Sequence, residues 1–271
     1  MAAHGSNSPG NALVSGASSG IGRELALLLA ADGHRLVLLA RNEQRLRELA
    51  EECRQRFGTE SLVIAADLAD PATPPRVFQA AGALGPLDIL INNAGFGNHG
   101  AFAQIDVRGE LELLQVNVLS LTHLSRLFLP GMIQRGHGRI MNVASTAAFV
   151  PGPWMSTYYA SKAYVLSHTL SLARELRGTG VTVTALCPGP TRTEFHRRAG
   201  IVEAPLLRAG VMSAQAVARA GYRGMMRGRP LVVPGLLNKM VVLASRLLPR
   251  SVLAAAAGRL NGRRKAVERC T

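Results

Sequence analysis

Along the first two hundred residues, short runs of leucine and β-branched residues alternate with longer stretches in which apolar side chains recur every three or four positions. The short runs predict strands at 12–15, 36–40, 62–66, 89–92, 139–143 and 181–186. The periodic stretches predict helices near 21–32, 42–56, 74–83, 109–134 and 157–177. Turn chemistry marks the changeovers: Asn42 can cap the second helix, and Gly33 and Gly178 follow the last periodic residues of two others. The strands read as continuous apolar runs, as strands do when crossover helices cover both faces of a parallel sheet. The expected fold is therefore α/β, a doubly wound, mostly parallel sheet. A short strand at 231–234 would add a last edge, giving about seven strands, after an irregular segment from about 190 to 228.

Composition fits one large unit. The chain has 271 residues, 48% of them hydrophobic, and only 3 Cys, which excludes a disordered chain, a collagen and a disulfide scaffold. Cys53, Cys187 and Cys270 lie far apart, with no CxxC and no histidine at zinc spacing, so neither a disulfide framework nor a metal site is expected. That usage fits a reducing, cytoplasmic setting. Residues 1–10 are small and polar and read as a flexible lead-in, 11–235 as one domain, and 236–271 as an extension. Apolar runs such as 25–31 and 252–257 are far short of the roughly 20 residues that cross a bilayer, so a soluble or peripheral protein is expected.

The net charge of +14 is unevenly placed. Residues 204–271 hold 13 Lys and Arg and a single acid, Glu268, for +12, whereas 1–203 hold 18 basic and 16 acidic residues, for +2. The body and the basic end therefore call for separate readings.

Several groups of residues carry chemistry. The first is Gly16-Ala17-Ser18-Ser19-Gly20-Ile21-Gly22, between the first strand and first helix, where glycines permit a tight turn and the helix N-terminus offers N–H groups to a phosphate. At the end of the second strand, where a carboxylate would hold an adenosine ribose, the chain has Ala40 and Arg41. A guanidinium there suits a 2′-phosphate, favouring NADP(H) over NAD(H). Third, Tyr158 and Lys162 stand four apart on one helix face, where an ammonium can stabilise a phenolate and bring its proton exchange towards neutral pH. The chain has 28 Arg but only three Lys, and Lys162 is the only Lys before Lys239. Ser145, at the carboxyl end of the fifth strand, could donate to a carbonyl oxygen. Finally, Asn92-Asn93-Ala94-Gly95 follows the fourth strand, its amides suited to tying loops together and Gly95 to close approach. Asn117, amid apolar neighbours in a long helix, must find partners, either core groups or a water.

Together, Ser15-Gly16-x-x-x-Gly20-x-Gly22, Asn92-Asn93-Ala94-Gly95, Asn117, Ser145, Tyr158-x-x-x-Lys162 and Pro188-Gly189-x-x-x-Thr193 resemble the short-chain dehydrogenase/reductase family over residues 11 to about 235. The resemblance implies a Rossmann-type fold and an oxidoreductase that moves hydride between NADP(H) and a carbonyl or secondary alcohol. It implies Tyr158 as proton donor and acceptor, Ser145 as the group orienting the carbonyl, Lys162 as the residue lowering the tyrosine pKa while holding a ribose, and Asn117 as holder of a relay water. It places Asp67 at the adenine and Thr193 at the carboxamide, with Ser18, Ser19, Ile21, Leu68, Asn93, Ala94, Pro188, Gly189 and Thr191 completing the cofactor contacts. It also implies a homo-oligomer, dimer or tetramer. Two departures stand out: Ser15 replaces the usual Thr, and where relatives that assemble as tetramers end near Asp-Gly-Gly, this chain reads Val233-Pro234-Gly235 and continues for 36 residues. The stretch 138–162 is similar to a branch with long-chain 3-oxoacyl and hydroxysteroid reductases, implying a small lipophilic carbonyl or alcohol substrate covered by 190–228.

In 236–271, apolar residues at helical spacing stand beside Lys239, Arg246, Arg250 and Arg259, with Pro249 as a break. Three readings follow: helices packed on their own domain or a partner subunit, a peripheral contact with an anionic membrane, or a nucleic-acid surface. The absence of aromatics in the segment disfavours the last. The competing functional readings are a non-catalytic NADP-binding regulator and a basic scaffold protein.

Overall fold

The computed structural model describes residues 9–193 and 211–262. The lead-in 1–8, the segment 194–210 within the expected substrate cover, and the basic end 263–271 with Cys270 lie outside the described residues. In chain order the elements are β1 (Asn11–Ser15), α1 (Gly20–Ala31), β2 (Arg35–Ala40), α2 (Glu43–Phe57), β3 (Ser61–Ala65), α3 (Thr73–Ala81), β4 (Leu87–Asn92), α4 (Val107–Leu114), α5 (Leu121–Arg135), β5 (Gly138–Val143), α6 (Ser156–Glu175) and β6 (Val181–Leu186). Then come β7 (Thr191–Arg192), β8 (Met212–Ser213), α7 (Ala214–Met226), β9 (Leu231–Val232), α8 (Leu236–Leu247) and α9 (Arg250–Asn261).

Seven strands form one parallel sheet in the order β3-β2-β1-β4-β5-β6-β9, and β7 pairs with β8 apart from it. The run of each strand explains the two cores. Ala12, Val14, Leu36, Leu38, Ile89 and Ile91 point to one face, against Leu25, Leu29, Leu46 and Val217 of α1, α2 and α7. Their neighbours Leu13, Val37, Leu39 and Leu90 point to the other, against Val77, Leu124, Phe128 and Met132 of α3 and α5. Each such leucine contributes about 2 kcal/mol by leaving water.

The caps behave as their residues suggest. Asn42 accepts from Arg45 N at 2.9 Å, and Gly33 and Gly178 take φ of +82° and +85°.

Two expectations are corrected. The stretch 109–134 is two helices: between α4 and α5 the chain widens into a π-helical turn, Gln115–Ser120, with Asn117 at its centre. The segment 190–228 is not irregular throughout, because α7 runs through it, N-capped by Ser213, which accepts from Ala216 N at 3.1 Å. Helix α7 buries Val217, Tyr222 and Met225 against the sheet and α1, so it belongs to the core. Its two glycines make the close approach possible: a Cβ on Gly221 would lie 2.7 Å from Leu186 and one on Gly224 2.2 Å from Val232.

The 236–271 extension folds back on the body as far as it is described. Helix α8 starts after Gly235 (φ +84°) and buries Asn238 and Val242. Pro249 separates it from α9, as expected.

Candidate active site

Strand β1 pairs with β2 on one side and β4 on the other, so the chain reverses its progress across the sheet there, and a crevice opens above the carboxyl ends of the strands. A cleft of about 850 Å³ occupies this crevice. Of the residues singled out in the sequence for catalysis or cofactor contact, all line it except Gly22 and Asn117, which stand behind its wall together with Ser15 and Asn92.

The glycine loop is shaped by Asn93. Its Nδ2 donates to Ser15 O at 2.9 Å and Gly16 O at 3.2 Å. A Cβ on Gly16 (φ +66°) would lie 2.8 Å from that nitrogen, and one on Gly22 only 2.4 Å from it and from Gly16 O. These two glycines therefore let the loop close on β4, while Ser18, Ser19, Gly20 and Ile21 present the start of α1 to the cleft. Ser19 precedes the helix without a capping side-chain bond, which leaves the α1 N-terminus suited to an anion. The hydroxyl of Ser15 accepts from Asn93 N and Ala94 N, both at 3.0 Å, so serine serves where threonine was expected.

At the far end, Arg41 follows β2 and sits 3.6 Å from Asp67 Oδ2, both well exposed. Asp67 also accepts from Ala69 N at 2.9 Å, and Leu68 is held from behind by Ser120, whose Oγ donates to its carbonyl at 2.6 Å. A solvated pair of this kind contributes little, so Arg41 can exchange partners.

At the middle, Ser145, Tyr158 and Lys162 come together. Extended backbone at Ser145 ends β5 and begins a short 3-10 turn, Thr146–Phe149, where Oγ accepts from Ala147 N at 3.1 Å. The buried Tyr158 phenol is hydrogen-bonded to Ser145. Lys162 is buried one turn further along α6, its Nζ donating to Val143 O at 2.9 Å and lying 5.8 Å from the Tyr158 ring centroid. Burial pushes the Tyr158 phenol above its usual value, with Ser145 pulling the other way, and pushes Lys162 down from 10.5 to about 8. In this structure the Lys162 ammonium is directed at a backbone carbonyl, one helical turn from the phenol.

The Asn117 side chain is hydrogen-bonded within the core. Its Oδ1 accepts from Phe96 N at 3.1 Å, and its Nδ2 donates to Phe96 O at 2.9 Å and Ser161 Oγ at 3.0 Å. These bonds hold the loop after Gly95 against α6, where a Cβ on Gly95 would lie 2.9 Å from Asn117 Oδ1. Asn92 is likewise internal, donating to Ser125 Oγ and Asn142 Oδ1. On the opposite rim, Pro188, Gly189, Thr191 and Thr193 follow β6, with Thr193 facing Gly20. A Cβ on Gly189 would strike Asn238 Oδ1 at 2.1 Å, so this glycine makes room for α8. Among the described residues no cluster of three or more His, Cys, Asp or Glu could hold a metal ion.

The family model for short chain dehydrogenases matches residues 10–201. The chain belongs to the short-chain dehydrogenase family. A ketoacyl reductase, HetN, from Nostoc sp. strain PCC 7120 is 32% identical over 249 residues, 89% of this chain and 85% of that protein. Among solved structures, a short-chain dehydrogenase from Sphingobium yanoikuyae in complex with NADPH is 34% identical, with a TM-score of 0.79 over 97% of this chain and 99% of that one. A bulky-bulky ketone specific alcohol dehydrogenase from Comamonas testosteroni is 31% identical, with a TM-score of 0.76 over 98% of each chain. A relative from Burkholderia phymatum in complex with NAD is 26% identical, with a TM-score of 0.78 over 97% of this chain and 98% of that one. Short-chain dehydrogenases are oxidoreductases acting on carbonyl and alcohol groups with a nicotinamide cofactor.

One wall of this short-chain dehydrogenase cleft was not foreseen. Leu237 and Val241 of α8 and Leu253, Ala257 and Leu260 of α9 close it beside Met155, Tyr158 and Tyr159. Asn261 pins the end of α9, donating to Pro153 O at 3.0 Å and pairing with the Tyr159 hydroxyl at about 3.3 Å, while its carbonyl meets His99 Nε2 at 2.8 Å. The helical spacing of these apolar positions was visible in the sequence; the surface they face was not.

Proposed function

We propose that the protein is an NADP(H)-dependent oxidoreductase that moves hydride between the nicotinamide and the carbonyl or secondary alcohol carbon of a lipophilic ketone, aldehyde or 3-oxoacyl substrate. The observation that carries the reading is the buried Tyr158 phenol, hydrogen-bonded to Ser145 in the cleft, with Lys162 one turn away.

The residues fit the cofactor. The glycine loop and α1 N-terminus suit its pyrophosphate, and Arg41, with Ala40 in place of a carboxylate, suits a 2′-phosphate. When bound, the nicotinamide supplies or accepts the hydride and carries a positive charge in its oxidised form. The chain's own residues manage the oxygen. Ser145 and Tyr158 donate to the carbonyl oxygen, polarising it and stabilising the developing alkoxide. Tyr158, kept protonated at neutral pH by burial, then gives up its proton to that oxygen. Lys162 places a cation behind the phenolate so formed, and Asn117 positions α6 against the loop after β4. The walls from α8 and α9 exclude water and favour an apolar body on the substrate. Val107 and Leu111, exposed one turn apart on α4, support assembly with a second copy through that face.

The test is Tyr158→Phe. The variant is expected to lose at least a thousandfold in turnover with a screened ketone while binding NADPH within about threefold of the parent. Near-normal turnover would remove the assigned acid.

A further inference from the structure

Helix α8 has two apolar faces. Asn238, Val242 and half-buried Ser245 face the body, and Leu237 and Val241 face the cleft. Leu236, Met240, Leu243 and Leu247 recur at i, i+4, i+7 and i+11, which places them in one stripe on the side opposite Asn238 and Val242. All four point outward, with exposures of 77%, 56%, 52% and 78%. Leu248, just before Pro249, and Val252, just after it, are also about half exposed. A contiguous outward apolar stripe of this size marks a contact surface.

The charge around it selects the partner. Lys239 and Arg246, seven residues apart, flank the stripe on one side, and Arg250 follows it. Residues 211–262 contain eight Lys and Arg and no Asp or Glu. A second copy meeting this face would set like charges against each other with no acid to offset them. An anionic lipid surface supplies the opposite sign and an apolar layer at the depth the leucines reach.

We propose that the outer stripe of α8 docks the protein onto anionic membranes, with Leu236, Met240, Leu243 and Leu247 entering the headgroup boundary and Lys239, Arg246 and Arg250 meeting lipid phosphates. The same helix lines the cleft through Leu237 and Val241, so docking sets the cleft mouth beside the bilayer. Resting on the proposed function, this makes the substrate a lipophilic carbonyl that partitions into lipid and enters the cleft from it. No helix among the described residues is long and apolar enough to cross a membrane, so the contact is peripheral.

The test is co-sedimentation of the full chain with vesicles of phosphatidylcholine alone or with 30% phosphatidylglycerol. Binding is expected to be at least tenfold tighter to the anionic vesicles and to weaken in 0.5 M salt. The pair Leu243→Glu and Leu247→Glu, on solvated positions away from the cleft, is expected to lower that binding more than tenfold, and Lys239→Glu with Arg246→Glu to remove the preference for anionic lipid. Turnover of a small water-soluble ketone should stay within twofold in both variants, so loss of docking and loss of the enzymatic reading are told apart. Equal retention of parent and Leu243→Glu/Leu247→Glu on anionic vesicles would overturn the proposal. So would a parent oligomer that this variant splits in sedimentation velocity, which would make the stripe an interface between copies.

Discussion

Lys162 is held in the site at a cost to the fold, and the cost can be measured. Burial lowers its pKa from 10.5 to about 8, which corresponds to about 3 kcal/mol of destabilisation while the group is charged. Lys162→Met keeps the chain length and removes the charge, but also the bond to Val143 O, worth about 1 kcal/mol. The net expectation at pH 7 is an apoprotein more stable by about 2 kcal/mol, or a Tm higher by about 6 °C for a chain of this size, with turnover lost at least a hundredfold. The pH dependence has a definite sign. Below pH 8 the lysine is protonated in both the folded and unfolded parent, and the full penalty applies. Between pH 8 and 10.5 the folded state sheds its proton first, so the parent gains stability as pH rises, and the advantage of the methionine shrinks to zero and reverses near pH 10, where the lost bond to Val143 O is left. Unfolding of both proteins without cofactor, by urea and by heat from pH 6 to 10, checks this. A folded Lys162→Met variant that is less stable than the parent at pH 7, or whose advantage persists undiminished at pH 10, would refute the assignment of a burial penalty to this ammonium.

Other expectations follow from the same geometry. Arg41→Ala should raise the KM for NADPH by about thirtyfold, the range of a charge-assisted phosphate contact, and leave that for NADH within threefold; equal effects in a cofactor titration would count against a 2′-phosphate partner. Asn117→Ala removes three buried hydrogen bonds and should cost about 3 kcal/mol in urea unfolding, with a smaller loss for Asn117→Asp; an unchanged midpoint for the alanine variant would mean that these bonds do not hold the loop. Asn261→Ala frees the end of α9 and should raise KM for bulky ketones about tenfold while sparing acetone-sized ones; a uniform change across substrate sizes would show that the latch does not shape the wall.

Much of this molecule is legible in its sequence, for physical reasons that differ between elements. The run at 181–186 is rich in β-branched residues, starts directly after Gly180 and pairs with β5 along its whole length, so its limits coincide with β6. Gly16 and Gly22 could be placed at a phosphate loop, but what forbids a side chain there, the amide of Asn93 arriving from β4, is a contact between residues more than seventy positions apart. Helix α7 was missed because Gly221 and Gly224 lower helix propensity, and their use, close packing on Leu186 and Val232, is tertiary. The π-helical turn at Asn117 has no local signature, since side-chain bonds to Phe96 and Ser161 accompany it from outside the helix. The protonation of Tyr158 depends on how much water the surrounding helices remove, which spacing alone does not encode. The two-faced character of α8 was half visible: the apolar spacing was plain, but which face met the cleft and which met solvent depended on where Gly189 let the helix settle.

The wall contributed by α8 and α9 comes wholly from chain that follows the last sheet strand, whereas Ser145, Tyr158 and Lys162 are fixed by β5 and α6. Under the proposed function, recognition and reactivity are thereby inherited on separate stretches of the gene. Lineages, or protein engineers, can redraw the terminal helices to admit a differently shaped clientele while the atoms that handle the oxygen keep their places.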